Sequence, residues 1–219
     1  FTNKVYQTSG GLHGVGLSVV NALSERLVVE VARDKKLWRQ SYKRGEPDGP
    51  LKNIGTIKNR RGTSVTCYPD PKIFPNNIQF RPDLLYRMAR SKAYLFRGIE
   101  IRWRCHNKWI QNDAATPSKA TLTFPGGLKD FLLIETGNRE MVTSIPFSGE
   151  AKLAKGGRVE WAVSWPSDDG TSFLHSYCNT VPTPDGGSHE SGFRTALTRG
   201  LKAYGELAKV KRTNQITAD

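Results

Sequence analysis

The spacing of apolar residues changes several times along the chain. Leu17, Val20 and Leu23 recur at helical intervals after a loop holding Gly10, Gly11, Gly14 and Gly16, and predict a helix that reaches Glu25. "RLVVEVARDKKLWRQSYKRG" reads as two strands around a turn near Asp34 and Lys35, because Val28, Val29, Val31, Leu37 and Trp38 are strand formers. "GEPDGP" interrupts the pattern. In "RRGTSVTCYP", Thr63, Val65 and Cys67 alternate with Ser64, Thr66 and Tyr68, which predicts a strand with two distinct faces. "RPDLLYRMARSKAYLF" predicts a helix opened by Pro82 and Asp83, with Leu84, Leu85 and Met88 turned inward. "IEIRWRCHNKWIQN" reads as a hairpin, with Ile99, Ile101, Trp103 and Cys105 facing in and Glu100, Arg102 and Arg104 facing out.

Pro, Ser and Gly collect in "TPSKATLTFPGG", the expected boundary between a unit over residues 1–120 and one over 121–219. Beyond it, "GLKDFLLIET" is helical, and "RVEWAVSWP" and "TSFLHSYCNTV" read as strands paired across "SDDG". A long helix follows, expected to be capped by Ser188 and to carry Phe193, Leu197 and Leu201 on one face.

Charge sharpens that division. The net charge is +13 over 219 residues, and all of the excess lies before residue 121, where 22 Lys and Arg face 9 Asp and Glu. The densest stretch, residues 81–108, holds eight basic and two acidic residues, a pattern open to a polyanionic partner or to a solvated face. No run approaches the ~18 apolar residues of a membrane span, and no signal-peptide pattern opens the chain. Three separated cysteines suit free thiols in a reducing cytoplasm better than a disulfide framework.

The glycine loop running into a helix is the clearest candidate for chemistry, since unpaired N–H groups at such a junction suit phosphate. Two common phosphate loops do not fit. Gly16 is followed by Leu17 and Ser18, not by a Lys-Ser/Thr pair, and G-x-x-G-x-G after a polar lead is not the dinucleotide fingerprint. A zinc site from His175, Cys178 and His189 is disfavoured, because residues three apart on a strand point to opposite faces and no C-x-x-C exists. No metal ligands and no catalytic residues are assigned. Apart from Glu25, the first 25 residues hold no carboxylate that could activate water.

Four blocks carry a resemblance: "YQTSGGLHGVGLSVVNALSE", "LWRQSYKRGEP", "RRGTSVTCYPD" and "YCNTVPTPDGGSHESGFRTALTRGLKAY". In order and spacing they resemble the B subunits of bacterial type IIA topoisomerases, the last block resembling the topoisomerase IV branch more than gyrase. The resemblance implies an α/β fold, the later half of a GHKL ATPase sandwich, followed by part of a transducer domain with a left-handed βαβ crossover. It implies that Gly11, Leu12, His13, Gly14, Val15 and Gly16 wrap the triphosphate of ATP as a lid, mobile without nucleotide. It further implies that Thr63 joins the hydrogen bonds around adenine and that Arg39 stands at the pocket mouth, where inhibitors bind. The implied cofactors are ATP and Mg²⁺. The implied partners are DNA, the topoisomerase A subunit and a second copy of the ATPase arm, in the cytoplasm and with no membrane.

The family's glutamate base, Mg²⁺-holding asparagine and adenine-reading aspartate fall upstream of the lid, and its γ-phosphate lysine falls downstream. None is matched in these residues, so the chain is expected to be an internal piece and inactive alone. Another GHKL ATPase is a rival reading, against which "DGGSHESGFRTALTRGL" argues. A non-enzymatic basic nucleic-acid-binding module is the second rival, supported by charge alone.

Overall fold

A computed structural model describes residues 14–75, 79–110, 115–154 and 156–217. Two compact units emerge, one over Gly11–Arg81 and one built on Pro82–Asp219.

In the first unit, helix α1 (Gly16–Ala22) is followed at once by strand β1 (Ser24–Arg33). The helix is shorter than its apolar period predicts, and Glu25 lies on the strand. Ser24 Oγ donates to the Val20 carbonyl at 2.6 Å, and the Asp70 N–H donates to the Leu23 carbonyl at 3.1 Å. Bonds that take carbonyls from the last turn let the chain leave the helix for the sheet.

Strand β2 (Lys36–Lys43) returns from β1 through Asp34 and Lys35, at φ of 53° and 59°. Positive φ at both turn residues matches the twist of the flanking strands. Strands β3 (Glu46–Pro47) and β4 (Lys52–Thr56) pair with opposite ends of β2, and β5 (Gly62–Pro69) pairs with β1. The resulting order is β3–β2–β1–β5, antiparallel throughout. Leu27 and Ala32, each 2% exposed, are its buried apolar residues.

The second unit begins with helix α2 (Pro82–Leu95), strands β6 (Glu100–Arg104) and β7 (Lys119–Thr123), and helix α3 (Leu128–Thr136). Their core is Ala93, Tyr94, Leu122, Phe124 and Phe131. Tyr94 stacks on Phe131 at 3.9 Å between ring centroids and meets Phe124 edge-on at 5.8 Å. Gly127, at the N-terminus of α3, has φ of 63°, and a Cβ there would lie 2.6 Å from Arg97 Nε. Glycine is what lets the Arg97–Glu160 ion pair pass so close to the backbone.

Strands β8 (Phe147–Lys152) and β9 (Arg158–Val163) form a hairpin, with Trp161 between Phe147 and Phe193. A second, two-residue hairpin joins β10 (Tyr177–Cys178) to β11 (Val181–Pro182) before helix α4 (Ser188–Leu207). Its turn residues Asn179 and Thr180 have φ of 47° and 70°. Thr180 is buried, and Lys92 Nζ on α2 donates to its carbonyl at 2.6 Å and its hydroxyl at 3.1 Å. The hydroxyls of Tyr94 and Tyr177 make a second bond between α2 and this hairpin.

Several local expectations change here. Leu84, Leu85 and Met88 are 46%, 38% and 53% exposed, while Ser91, Ala93 and Tyr94 are buried. The face of α2 that packs on the β6–β7 pair and α3 carries Tyr86, Ala89, Ala93 and Tyr94 at helical spacing, and it lies opposite the face of Leu84, Leu85 and Met88, so the apolar stripe marks the wrong side of the helix. Strand β6 pairs with β7 and not with residues 106–110, because His106 caps a single 3-10 turn over Asn107–Trp109. Strand β7 therefore forms within the Pro/Ser/Gly-rich segment. Strand β9 pairs backward with β8, and among residues 171–178 only Tyr177 and Cys178 are in a strand. Gly187 takes the cap position of α4, one residue before Ser188.

Candidate functional site

Of the six residues of the expected lid, Gly11, Leu12 and His13 lie outside the described residues. Gly14 takes φ of 66°, Val15 is the N-cap at φ −89°, and Gly16 opens α1. A left-handed glycine lets the loop reverse into the helix without steric cost. Val15 makes no side-chain cap, so no side chain there competes for the N–H groups of the first turn. Val15, Leu17 and Val19 are 54%, 53% and 50% exposed.

The base of this helix is fixed to the sheet by polar contacts. Asn21 Nδ2 donates to the Gly45 carbonyl at 3.0 Å, and the Arg44 N–H donates to the Ser24 carbonyl at 3.1 Å. Arg44 Nε donates to Asp70 Oδ2 at 2.5 Å, and the Lys72 N–H donates to Asp70 Oδ1 at 2.9 Å. The Asp70 side chain is 3% exposed. Sequence reasoning passed over Arg44 and Asp70. The available signal was an aspartate between Pro69 and Pro71 at a strand end, where a carboxylate takes up backbone donors.

The Arg44 guanidinium first, and the Lys72 N–H second, hold the Asp70 carboxyl below its ordinary value of 3.8. The unfolded chain then takes up a proton more readily than the folded one. The stabilisation is complete above the ordinary value and is lost as pH falls through the lower, folded value. Asp70→Asn is expected to lower the denaturation midpoint at neutral pH and to flatten its decline below about pH 4. Urea titrations from pH 2 to pH 7 read both effects, and an unchanged acid slope would contradict this role.

Thr63 and Arg39 take up different positions. Cross-strand register sets Thr63 beside Val31, which in turn faces Trp38, and sets Ser64 beside Glu30, which faces Arg39. Directly paired residues share a face and neighbours alternate, so Thr63 and Arg39 occupy opposite faces. Arg39 binds Glu30 Oε1 through Nε at 3.0 Å and Nη2 at 2.5 Å. The exposed Thr63 shares its face with Val29, Val31 and Val65.

Among the described residues no cluster of three His, Cys, Asp or Glu is arranged to hold a metal ion. His175 packs near the rings of Phe131 and Phe173, and His189 Nε2 lies 3.3 Å from Thr183 Oγ1. No helix among the described residues is long and apolar enough to cross a membrane.

Residues 127–219 match the family model for DNA gyrase B. The whole chain is 50% identical to the B subunit of DNA topoisomerase 4 from Bartonella bacilliformis and 53% identical to its counterpart from Caulobacter vibrioides. It spans about a third, 32%, of the length of each of these relatives. The fold superposes on the 43K ATPase domain of Thermus thermophilus gyrase B, solved with an aminocoumarin, with a TM-score of 0.71 at 33% identity. That match covers 91% of this chain and 52% of the other. By sequence over its whole length and by fold over nearly all of it, the chain is similar to the B subunits of topoisomerase 4 and DNA gyrase.

Proposed function

We propose that this chain supplies the ATP lid, part of the nucleotide pocket and the start of the transducer in the ATP-driven gate of a type IIA topoisomerase, of the topoisomerase IV kind. The observation that carries the reading is the 50–53% identity to the B subunits of topoisomerase 4, which extends over all 219 residues. Within it, the backbone of Gly11, Leu12, His13, Gly14, Val15 and Gly16 wraps the triphosphate, and Thr63 joins the adenine network. Arg39 would reach the pocket mouth only by leaving Glu30, which makes its part peripheral. The proposed division sets residues 1–120 in the ATPase domain and 121–219 in the transducer.

The described residues suit part of a nucleotide site. Gly14 is left-handed, the start of α1 is open to solvent, and Thr63 presents a hydroxyl on an open face. They offer nothing that suits Mg²⁺, so no step here runs through the metal. What these residues do is bind and report. Lid N–H groups that meet the terminal phosphate would fix the loop, and the far end of the helix that follows it is tied to the sheet through Asn21 to Gly45 and Leu23 to Asp70. Lid closure on ATP would then favour docking of two arms around DNA, a coupling of separate sites through one two-state element.

The intact B subunit, assembled with its A subunit in the cytoplasm, is expected to pass DNA strands only when ATP is supplied. Gly14→Val should weaken binding of a non-hydrolysable ATP analogue by about tenfold, as a β-branched residue resists positive φ. Strand passage without ATP, or full analogue affinity in the variant, would overturn the reading.

A further inference from the structure

The β6–β7 hairpin carries charge that neither the lid nor the pocket uses. Its outward positions are Glu100, Arg102 and Arg104 on β6, facing Thr123, Thr121 and Lys119 on β7. Arg102 Nε donates to Glu100 Oε1 at 2.6 Å, which neutralises the one carboxylate on these positions. Arg104 and Lys119 stand directly opposite each other, and among the described residues neither has an ion-pair partner. Two like charges at a directly paired position weaken a sheet, so local stability does not account for them.

The cations continue past the strand end. Arg104, Cys105, His106, Asn107, Ser118 and Lys119 line an open cleft of about 450 Å³. Beyond it, Lys108 Nζ sits 4.8 Å from the ring centre of Trp109, which is 42% exposed.

This surface is held stiffly. The Cys105 N–H donates to the Ser118 carbonyl at 2.8 Å, which extends the ladder beyond β6. Trp103 Nε1 donates to the Pro117 carbonyl at 2.7 Å, and His106 Nδ1 accepts from the Lys108 N–H at 3.2 Å. A backbone on such a support loses little freedom when a ligand arrives.

We propose that this hairpin is a contact for the phosphate backbone of duplex DNA, with Arg104, Lys119 and Lys108 facing the phosphates. The proposal rests on the topoisomerase reading for its choice of polyanion. A row of cations whose one carboxylate among the described residues, Glu100, is already paired suits a repeating phosphate backbone. Phosphates carry the same charge whatever the bases, so a contact made by Arg104, Lys119 and Lys108 is sequence-independent.

The test uses the full-length protein and a short blunt duplex, with affinity followed from 50 to 200 mM salt. Each phosphate contact contributes about 0.9 to the salt slope, so Arg104→Gln with Lys119→Gln should lower it by about 1.8. Affinity at the low-salt end should fall on the order of tenfold. ATP turnover without DNA and the melting curve should match the parent, and the charge-conserving pair Arg104→Lys with Lys119→Arg should restore the slope. An unchanged slope in the glutamine variant would overturn this surface while ATP-dependent strand passage left the topoisomerase reading standing. Loss of strand passage in the parent protein would instead count against that reading.

Discussion

Purified protein of these 219 residues is expected to release no phosphate from ATP above background, with or without Mg²⁺ and DNA. Hydrolysis needs a carboxylate positioned to accept a proton, and four of the six in the first unit are already paired with arginine. Glu25 and Asp70 share Arg44, Glu30 holds Arg39, and Asp34 is paired with Arg33. Of these, Asp70 is held below its ordinary value by the Arg44 guanidinium and the Lys72 N–H, which makes it a poor proton acceptor. A positioned base is worth about 10²–10⁴-fold in rate, and charge stabilisation at the phosphates contributes further. Steady-state phosphate release is the assay. Turnover near 1 s⁻¹, within the ordinary range of enzymes, would mean that a base acts from within this sequence.

Tyr94→Ala is expected to cause the largest loss of stability in the second unit. Tyr94 is 4% exposed, stacks on Phe131 and meets Phe124 and Tyr177 edge-on. Burial first, and the Tyr177 hydroxyl second, push its phenol pKa upward, so it stays neutral at any working pH. Truncating a buried aromatic costs roughly 3–5 kcal/mol, a fall in melting temperature on the order of 10 °C for a unit of this size. Tyr94→Phe keeps the ring and loses only the hydroxyl pair, at about 1 kcal/mol. Denaturant titration followed by tryptophan fluorescence separates the two variants. Equal midpoints would mean that the ring is not central to this core.

The contrast between α2 and β5 indicates how much of the fold was legible. The two-faced strand over residues 62–69 follows from strict alternation, and its register keeps Ser64 with Glu30 and Val65 with Val29. A period of two sets the face without knowledge of the partner. In α2 the apolar stripe of Leu84, Leu85 and Met88 was plain, but the packed face carries Tyr86, Ala89, Ala93 and Tyr94, since which face is covered depends on where β6, β7 and α3 lie. Pairing was least legible. The partner of β6 begins 15 residues after that strand ends, past a short turn that reads as the natural end of a hairpin.

The candidate site follows the same logic. Family resemblance named Gly14, Gly16 and Thr63, whose proposed roles rest on backbone shape and one hydroxyl. Arg44 and Asp70, which hold the base of α1, meet across 26 positions and carry no local signature. A pair of that separation becomes visible only when the sheet is built.

The turn at Asn179 and Thr180 bears on the order in which the second unit assembles. A two-residue hairpin ordinarily closes by itself within microseconds, ahead of any distant contact. Here the second turn residue is β-branched in the left-handed region, a costly local choice, and the bonds that hold it come from Lys92, 88 positions away. The hairpin is therefore expected to close late, after α2 has been brought to it, and a nascent chain emerging from the ribosome would carry this stretch open until the loop between them had been closed.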